Sequence, residues 1–240
     1  MAGRERAVGT PGDLGTPGDP GTPGDSGPPH DPGADTTRLR LATAAMVGVV
    51  LYIAVDVVLQ CLPPHYNPIS EAESNLAVGP FGWIMNLNFL ARAALSGCAV
   101  AALARVGSAT RLRTAGLWLF ALAGLCSAAL AFFATDVAPA GEHGVATTTT
   151  TGAIHLALAT GGFVAALVAF ALLTGWMRGV PALRSGYRPA LVFLVIAVVG
   201  ILSLGASIAV VPEVLGLAER LCLAGILGWA FVVCAAVRRV

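Results

Sequence analysis

Four ionisable side chains interrupt stretches that are otherwise apolar: Asp56, Arg92, His155 and Arg220. Ionisable groups are costly in hydrocarbon, so each is a candidate functional residue. Outside the N-terminal tail the acids are Asp56, Glu71, Glu73, Asp136, Glu142, Glu213 and Glu219. They gather, with His65, His143 and His155, in or beside the same three connecting segments. Two chemistries suit such a set. His65, Asp136, His143 and His155 could hold a metal ion, or a His and a carboxylate could serve as base and orienter. The spacing of His143 and His155 fits no standard zinc motif, and neither G-x-S-x-G nor H-E-x-x-H occurs. The alternative is structural. Asp56 pairs with Arg92, and Arg220 with a nearby carboxylate, tying helices together while largely offsetting their own desolvation.

The segment from Pro63 to Phe89 is the most informative. Its Pro, Asn and Ser content predicts a folded loop or re-entrant turn rather than a helix. Trp83 stands where an interfacial aromatic belongs. Asn86 and Asn88 follow just inside the next apolar run and could hydrogen-bond across helices.

The elements that position these residues follow from apolar length. Hydrophobic residues make up 56% of the 240 and charged residues 11%, with a mean hydropathy of +0.80. Soluble domains carry roughly 25% charged residues, so lipid must cover much of this surface. About 20 apolar residues cross a ~30 Å hydrocarbon core. Six runs qualify: Leu41–Leu62, Phe81–Ala104, Thr114–Ala134, Gly152–Thr174, Pro189–Val211 and Leu217–Val237. In lipid each must satisfy its own backbone, so each is a helix. The expected fold is all-α: residues 39–240 form a six-helix transmembrane domain with no Pro in the interior of a span.

Arginine placement orients it. Arg38, Arg40, Arg105, Arg111, Arg113, Arg178, Arg184, Arg188, Arg238 and Arg239 flank alternate ends of the runs. The segments Pro63–Pro80, Thr135–Thr151 and Pro212–Gly216 contain none. This predicts a cell-membrane protein with cytoplasmic termini and those three loops outside.

Residues 1–38 read as a disordered cytoplasmic tail. Every third residue from Gly9 to Gly27 is Gly, and a TPGD unit repeats. That is a collagen-like pattern in a tract too short and too polar to bury a core. The first 40 residues do not read as a secretory signal. A net charge of +1 argues against a nucleic-acid partner, because phosphate binding needs a clustered basic face. The five Cys show no C-x-x-C spacing and read as buried hydrophobes. All 14 basic residues are Arg, which, with the Ala, Gly and Val content, suggests a GC-rich bacterial source.

Several of these pieces occur together elsewhere. His65-Tyr66-Asn67-Pro68, Ser70, Ser74-Asn75-Leu76, Gly79 and Asn86-x-Asn88-Phe89 are followed by Thr135-Asp136, Gly152-x-x-His155 and Gly216-Leu217-x-x-Arg220. In this order the chain resembles the six-span domain of unknown function 998 (DUF998) family, from about Leu41 to the C-terminus. The resemblance implies a six-helix fold and a polar cluster made of His65, Tyr66, Ser70, Asn75, Asn86, Asp136, His155 and Arg220. It implies no reaction and no cofactor. Arg92 stands where that pattern leads one to expect a small residue, so the resemblance leaves it outside the cluster.

Three functions remain open at this level. One is binding of a lipid headgroup or small ligand in an outward-facing polar pocket. Another is a lipid-active, possibly metal-dependent, intramembrane hydrolase. The last is a small transporter, which the lack of an internal repeat disfavours.

Overall fold

Six long helices follow one another, and no strand occurs among the described residues. The computed structural model describes residues 32–62, 66–139, 142–145 and 147–240. The glycine repeat and His65 lie outside the described residues. The helices are α1 (Pro32–Gln60), α2 (Gly82–Leu103), α3 (Arg111–Leu130), α4 (Thr150–Met177), α5 (Arg184–Val210) and α6 (Leu215–Val237). A 3-10 turn, η1 (Glu73–Ala77), stands between α1 and α2. Each long helix contains a stretch long and apolar enough to cross a bilayer, and the chain is a multi-pass membrane protein. Its lipid-facing surface follows: Val47, Val50, Leu51, Val57 and Val58 on α1 and Val192, Val195, Val199 and Leu202 on α5 are all exposed.

Several helix ends depart from the apolar runs. α1 begins at Pro32, inside the stretch assigned to the tail. α5 begins at Arg184, so Pro189 lies inside the helix rather than at its start. Proline has no N–H, so Pro189 gives the Ser185 carbonyl no i→i−4 hydrogen bond. At the Arg-bearing end, long polar side chains reach past the hydrocarbon and let helices continue. At the other end α3 stops at Leu130, short of the expected Ala134. The freed backbone there has a use described below. Hydroxyl caps set two starts: Thr110 Oγ1 accepts from Arg113 N at 3.2 Å, and Thr149 Oγ1 from Gly152 N at 3.0 Å.

Consecutive helices pack as neighbours, and α6 returns against α1 to close the bundle. α6 is the most buried helix. Its contact with α5 is backbone to backbone, because a Cβ on Gly225 would run into Ala197. Close approach of this kind is how helices associate in lipid, where the hydrophobic effect does not drive them together. Gly225→Leu is expected to cost about 1–3 kcal/mol through overpacking, read as a lower midpoint of thermal unfolding in detergent.

α4 and α6 scarcely meet. The gap between them ends on an aromatic cluster. Phe170 and Trp229 stack at 3.9 Å, Phe120 meets them edge-on at 5.0 and 6.0 Å, and Trp229 Nε1 donates to Thr174 Oγ1 at 2.9 Å.

Candidate functional site

The gap is a cavity bounded by α2, α3, α4 and α6 and capped by η1. It encloses about 70 Å³, or about 760 Å³ of atom-free space with its open side included. Its walls are amphipathic. Glu73, Arg92, Ser96, Ser127, His155 and Glu219 supply polar lining. Leu158, Ala159, Phe163 and Ala166 of α4, Leu223, Leu227 and Ala230 of α6, and Phe120 of α3 line the rest.

Arg92 is the hub of the polar end. Its Nε donates to Ser127 Oγ at 2.8 Å and its Nη1 to Tyr52 Oη at 3.1 Å. The same Nη1 lies 3.9 Å from Glu73 Oε2. The guanidinium carbon sits 5.3 Å from the ring centres of both Tyr52 and Phe89, within cation–π range. One side chain thus joins α1, α2, α3 and η1. Tyr52 Oη in turn donates to the Glu73 carboxyl at 2.9 Å. Burial pushes the Glu73 carboxyl up to about 8, and nearby Asp56 and Glu219 add to the rise against Arg92 and the Tyr52 hydroxyl. Glu219 Oε2 accepts from the Glu73 amide at 2.6 Å, fixing η1 to α6.

The expected Asp56–Arg92 pair is replaced by Arg92–Glu73. Asp56 is one turn further along α1 than Tyr52, the residue Arg92 reaches. Its Oδ2 accepts from Gln60 Nε2 at 2.6 Å instead, and its Oδ1 is buried without a partner.

His155 is 3% exposed. Its Nδ1 lies 2.6 Å from the Phe133 carbonyl, in the segment released by the early end of α3. A carbonyl only accepts, so Nδ1 carries the proton there. Nε2 is buried with no hydrogen-bond partner.

The other expected site residues are dispersed around this cavity. Tyr66, Ser70, Asn75 and His143 line a second cavity on the far side of η1. Ser70 Oγ is buried there without a partner. Asp136 accepts from the Thr148 and Thr149 amides at 2.7 Å and from Thr149 Oγ1 at 2.8 Å. Those bonds, Thr149's first, hold its carboxyl below the usual range and anchor the start of α4. Asn86 is half-buried on α2 and lines neither cavity. Its neighbour Asn88 makes the expected interhelical bond, donating to the Tyr52 carbonyl at 3.1 Å.

Arg220 stitches the first loop to α6. Nη1 donates to the Pro68, Glu71 and Gly216 carbonyls at 2.9, 3.3 and 3.2 Å, and Nη2 to Tyr66 Oη at 2.7 Å. Tyr66 Oη passes its own proton to the Glu71 carbonyl at 2.7 Å, and burial raises its pKa well above the ordinary value despite Arg220. The partner expected for Arg220 was a carboxylate; the loop backbone takes that place.

Among the described residues no three His, Cys, Asp or Glu side chains stand together as a metal shell. Asp136 and His155 are each committed to a separate backbone segment. Tyr52, Glu73 and Ser127 are site residues that the sequence did not single out. The available signal was spacing: Tyr52 lies one helical turn from Asp56, and Ser96 one turn from Arg92.

The bundle and its polar end define a six-span α-helical membrane protein with an intramembrane polar cluster beside an apolar groove. Residues 46–236 match the family described as protein of unknown function (DUF998), and the chain belongs to that family. No curated protein and no solved structure matches.

Proposed function

We propose that this protein binds an amphiphile drawn from the bilayer, polar head against the Arg92–Glu73–Glu219–His155 end and apolar chain along α4 and α6. The observation that carries this reading is the amphipathic lining of the cavity between those helices. From His155 to Ala166 on α4, and from Glu219 to Ala230 on α6, the lined stretch is about 16 Å at the helical rise. That is close to half a ~30 Å hydrocarbon core, the depth of one leaflet. Four half-buried α4 residues, Leu158, Ala159, Gly162 and Phe163, keep surface open to this groove. We place the polar end in the outer half of a cell membrane with both termini cytoplasmic, because the Arg residues flanking the helices all lie at the opposite end.

The test is co-purified lipid, counted by native mass spectrometry after gentle detergent extraction. The wild type is expected to carry about one bound amphiphile per chain. Ala159→Trp fills the groove and should release it while the circular-dichroism spectrum stays helical. Equal lipid content in both proteins refutes the reading.

A further inference from the structure

We infer that the head of the bound amphiphile carries hydrogen-bond donors, as hydroxyl or ammonium groups, and no phosphate. This rests on the lipid-binding reading above and follows from which protons at the polar end are already spent. Ser127 Oγ donates to the Phe89 carbonyl at 2.9 Å. Ser96 Oγ donates to the Arg92 carbonyl at 2.8 Å. Tyr52 Oη donates its hydrogen bond to the Glu73 carboxyl. His155 Nδ1 is committed to Phe133, which leaves Nε2 of the neutral ring as a bare lone pair on a side chain that lines the cavity. Arg92 has directed Nε to Ser127 and Nη1 to Tyr52, leaving Nη2 as its one uncommitted nitrogen.

What remains for a ligand is mostly acceptor: the imidazole nitrogen, the hydroxyl lone pairs and the Glu219 carboxyl, against the Arg92 Nη2 and the proton that Glu73 keeps below about pH 8. A ligand made of acceptors would leave these atoms unpaired in a water-poor site, and each unpaired buried polar atom costs about 1–3 kcal/mol. A phosphate would bring its charge beside the Glu219 carboxyl and the Glu73 carboxyl it would hold protonated, with one guanidinium, itself shared, to counter it. A hydroxyl or ammonium head supplies the missing donors and meets no repulsion.

The experiment uses the purified full chain in nanodiscs. Four single-chain amphiphiles of equal chain length are titrated: a monoacylglycerol, a long-chain amine, a lysophosphatidate and a fatty acid. Binding is read by native mass spectrometry and by the shift in thermal unfolding. The monoacylglycerol, the amine or both are expected to bind at least about tenfold more tightly than the two anions. The two donor-headed arms separate a hydroxyl from an ammonium source. Glu219→Gln exchanges a carboxylate oxygen for an amide donor and should narrow that preference to within about threefold. A lysophosphatidate or fatty acid that binds as well as the donor-headed pair overturns the inference while leaving the lipid-binding reading intact. If none of the four binds, the lipid-binding reading falls as well.

Discussion

Arg92→Met is expected to destabilise the folded protein by about 3–6 kcal/mol near pH 6, because two hydrogen bonds from a charged donor disappear and each contributes about 1.5–3 kcal/mol. The lost bonds are those to Ser127 and Tyr52. The penalty should also grow with pH. Glu73 has an ordinary value of 4.5 and is held at about 8 in the folded protein, chiefly by burial. Between those values the folded chain keeps a proton that the unfolded chain has released, so stability falls as pH rises and levels off above about 8. Arg92 opposes that rise. Without it the carboxyl is held protonated to still higher pH, and stability goes on falling where the wild type has levelled. Unfolding midpoints from about pH 6 to about pH 9 should therefore show a widening gap between variant and wild type. Adding Glu73→Gln to both chains should remove most of the widening. A gap that is constant with pH, with or without Glu73→Gln, would show that Arg92 and Glu73 are not coupled.

The bundle itself was legible in the sequence because hydrocarbon imposes so few solutions. Six apolar runs with Arg at alternate ends leave only helices, and the runs and the helices coincide to within a few residues over most of their length. The exceptions lie at the ends, where run-counting follows hydropathy and a helix follows its caps and its polar anchors. Pro189 illustrates this: it opens an apolar run and lies inside a helix that Arg184 began. The site was legible by residue type but not by partner. Arg92 was set aside as an irregularity in an otherwise family-like pattern, and it organises the polar end. Glu73 was one acid among the seven outside the tail, and η1 turns it inward to Tyr52. Neither fact follows from helical periodicity, because both depend on where a non-helical loop docks. The polar residues of that loop therefore divide. Glu73 and Ser74 face the inner cavity, while Asn75 and Leu76, next in sequence, face the outer one.

That docking is what Arg220 secures. Arg220→Met should expose the loop without unfolding the bundle. One guanidinium binds three backbone carbonyls and the Tyr66 hydroxyl, so its loss removes four hydrogen bonds at one seam and leaves the Pro68 carbonyl without that donor. Leu217 N donates to the Ile69 carbonyl at 2.9 Å across the same seam. Hydrogen exchange at Leu217 is therefore expected to accelerate by about ten- to a hundredfold, as local opening becomes easier by one or two factors of ten. Lys should restore little of the protection, since a point charge on a flexible stem cannot reproduce a fork that spans four acceptors. Gly216 makes a sharper comparison. A Cβ there would run into the Glu71 and Pro68 carbonyl oxygens, two of the groups that Arg220 holds. Gly216→Ala and Arg220→Met thus break one seam, and their combined effect should fall well short of the sum of the two. Full additivity, or unchanged exchange at Leu217 in Arg220→Met, would mean that the loop is held by something else, and the inward placement of Glu73 would lose its cause.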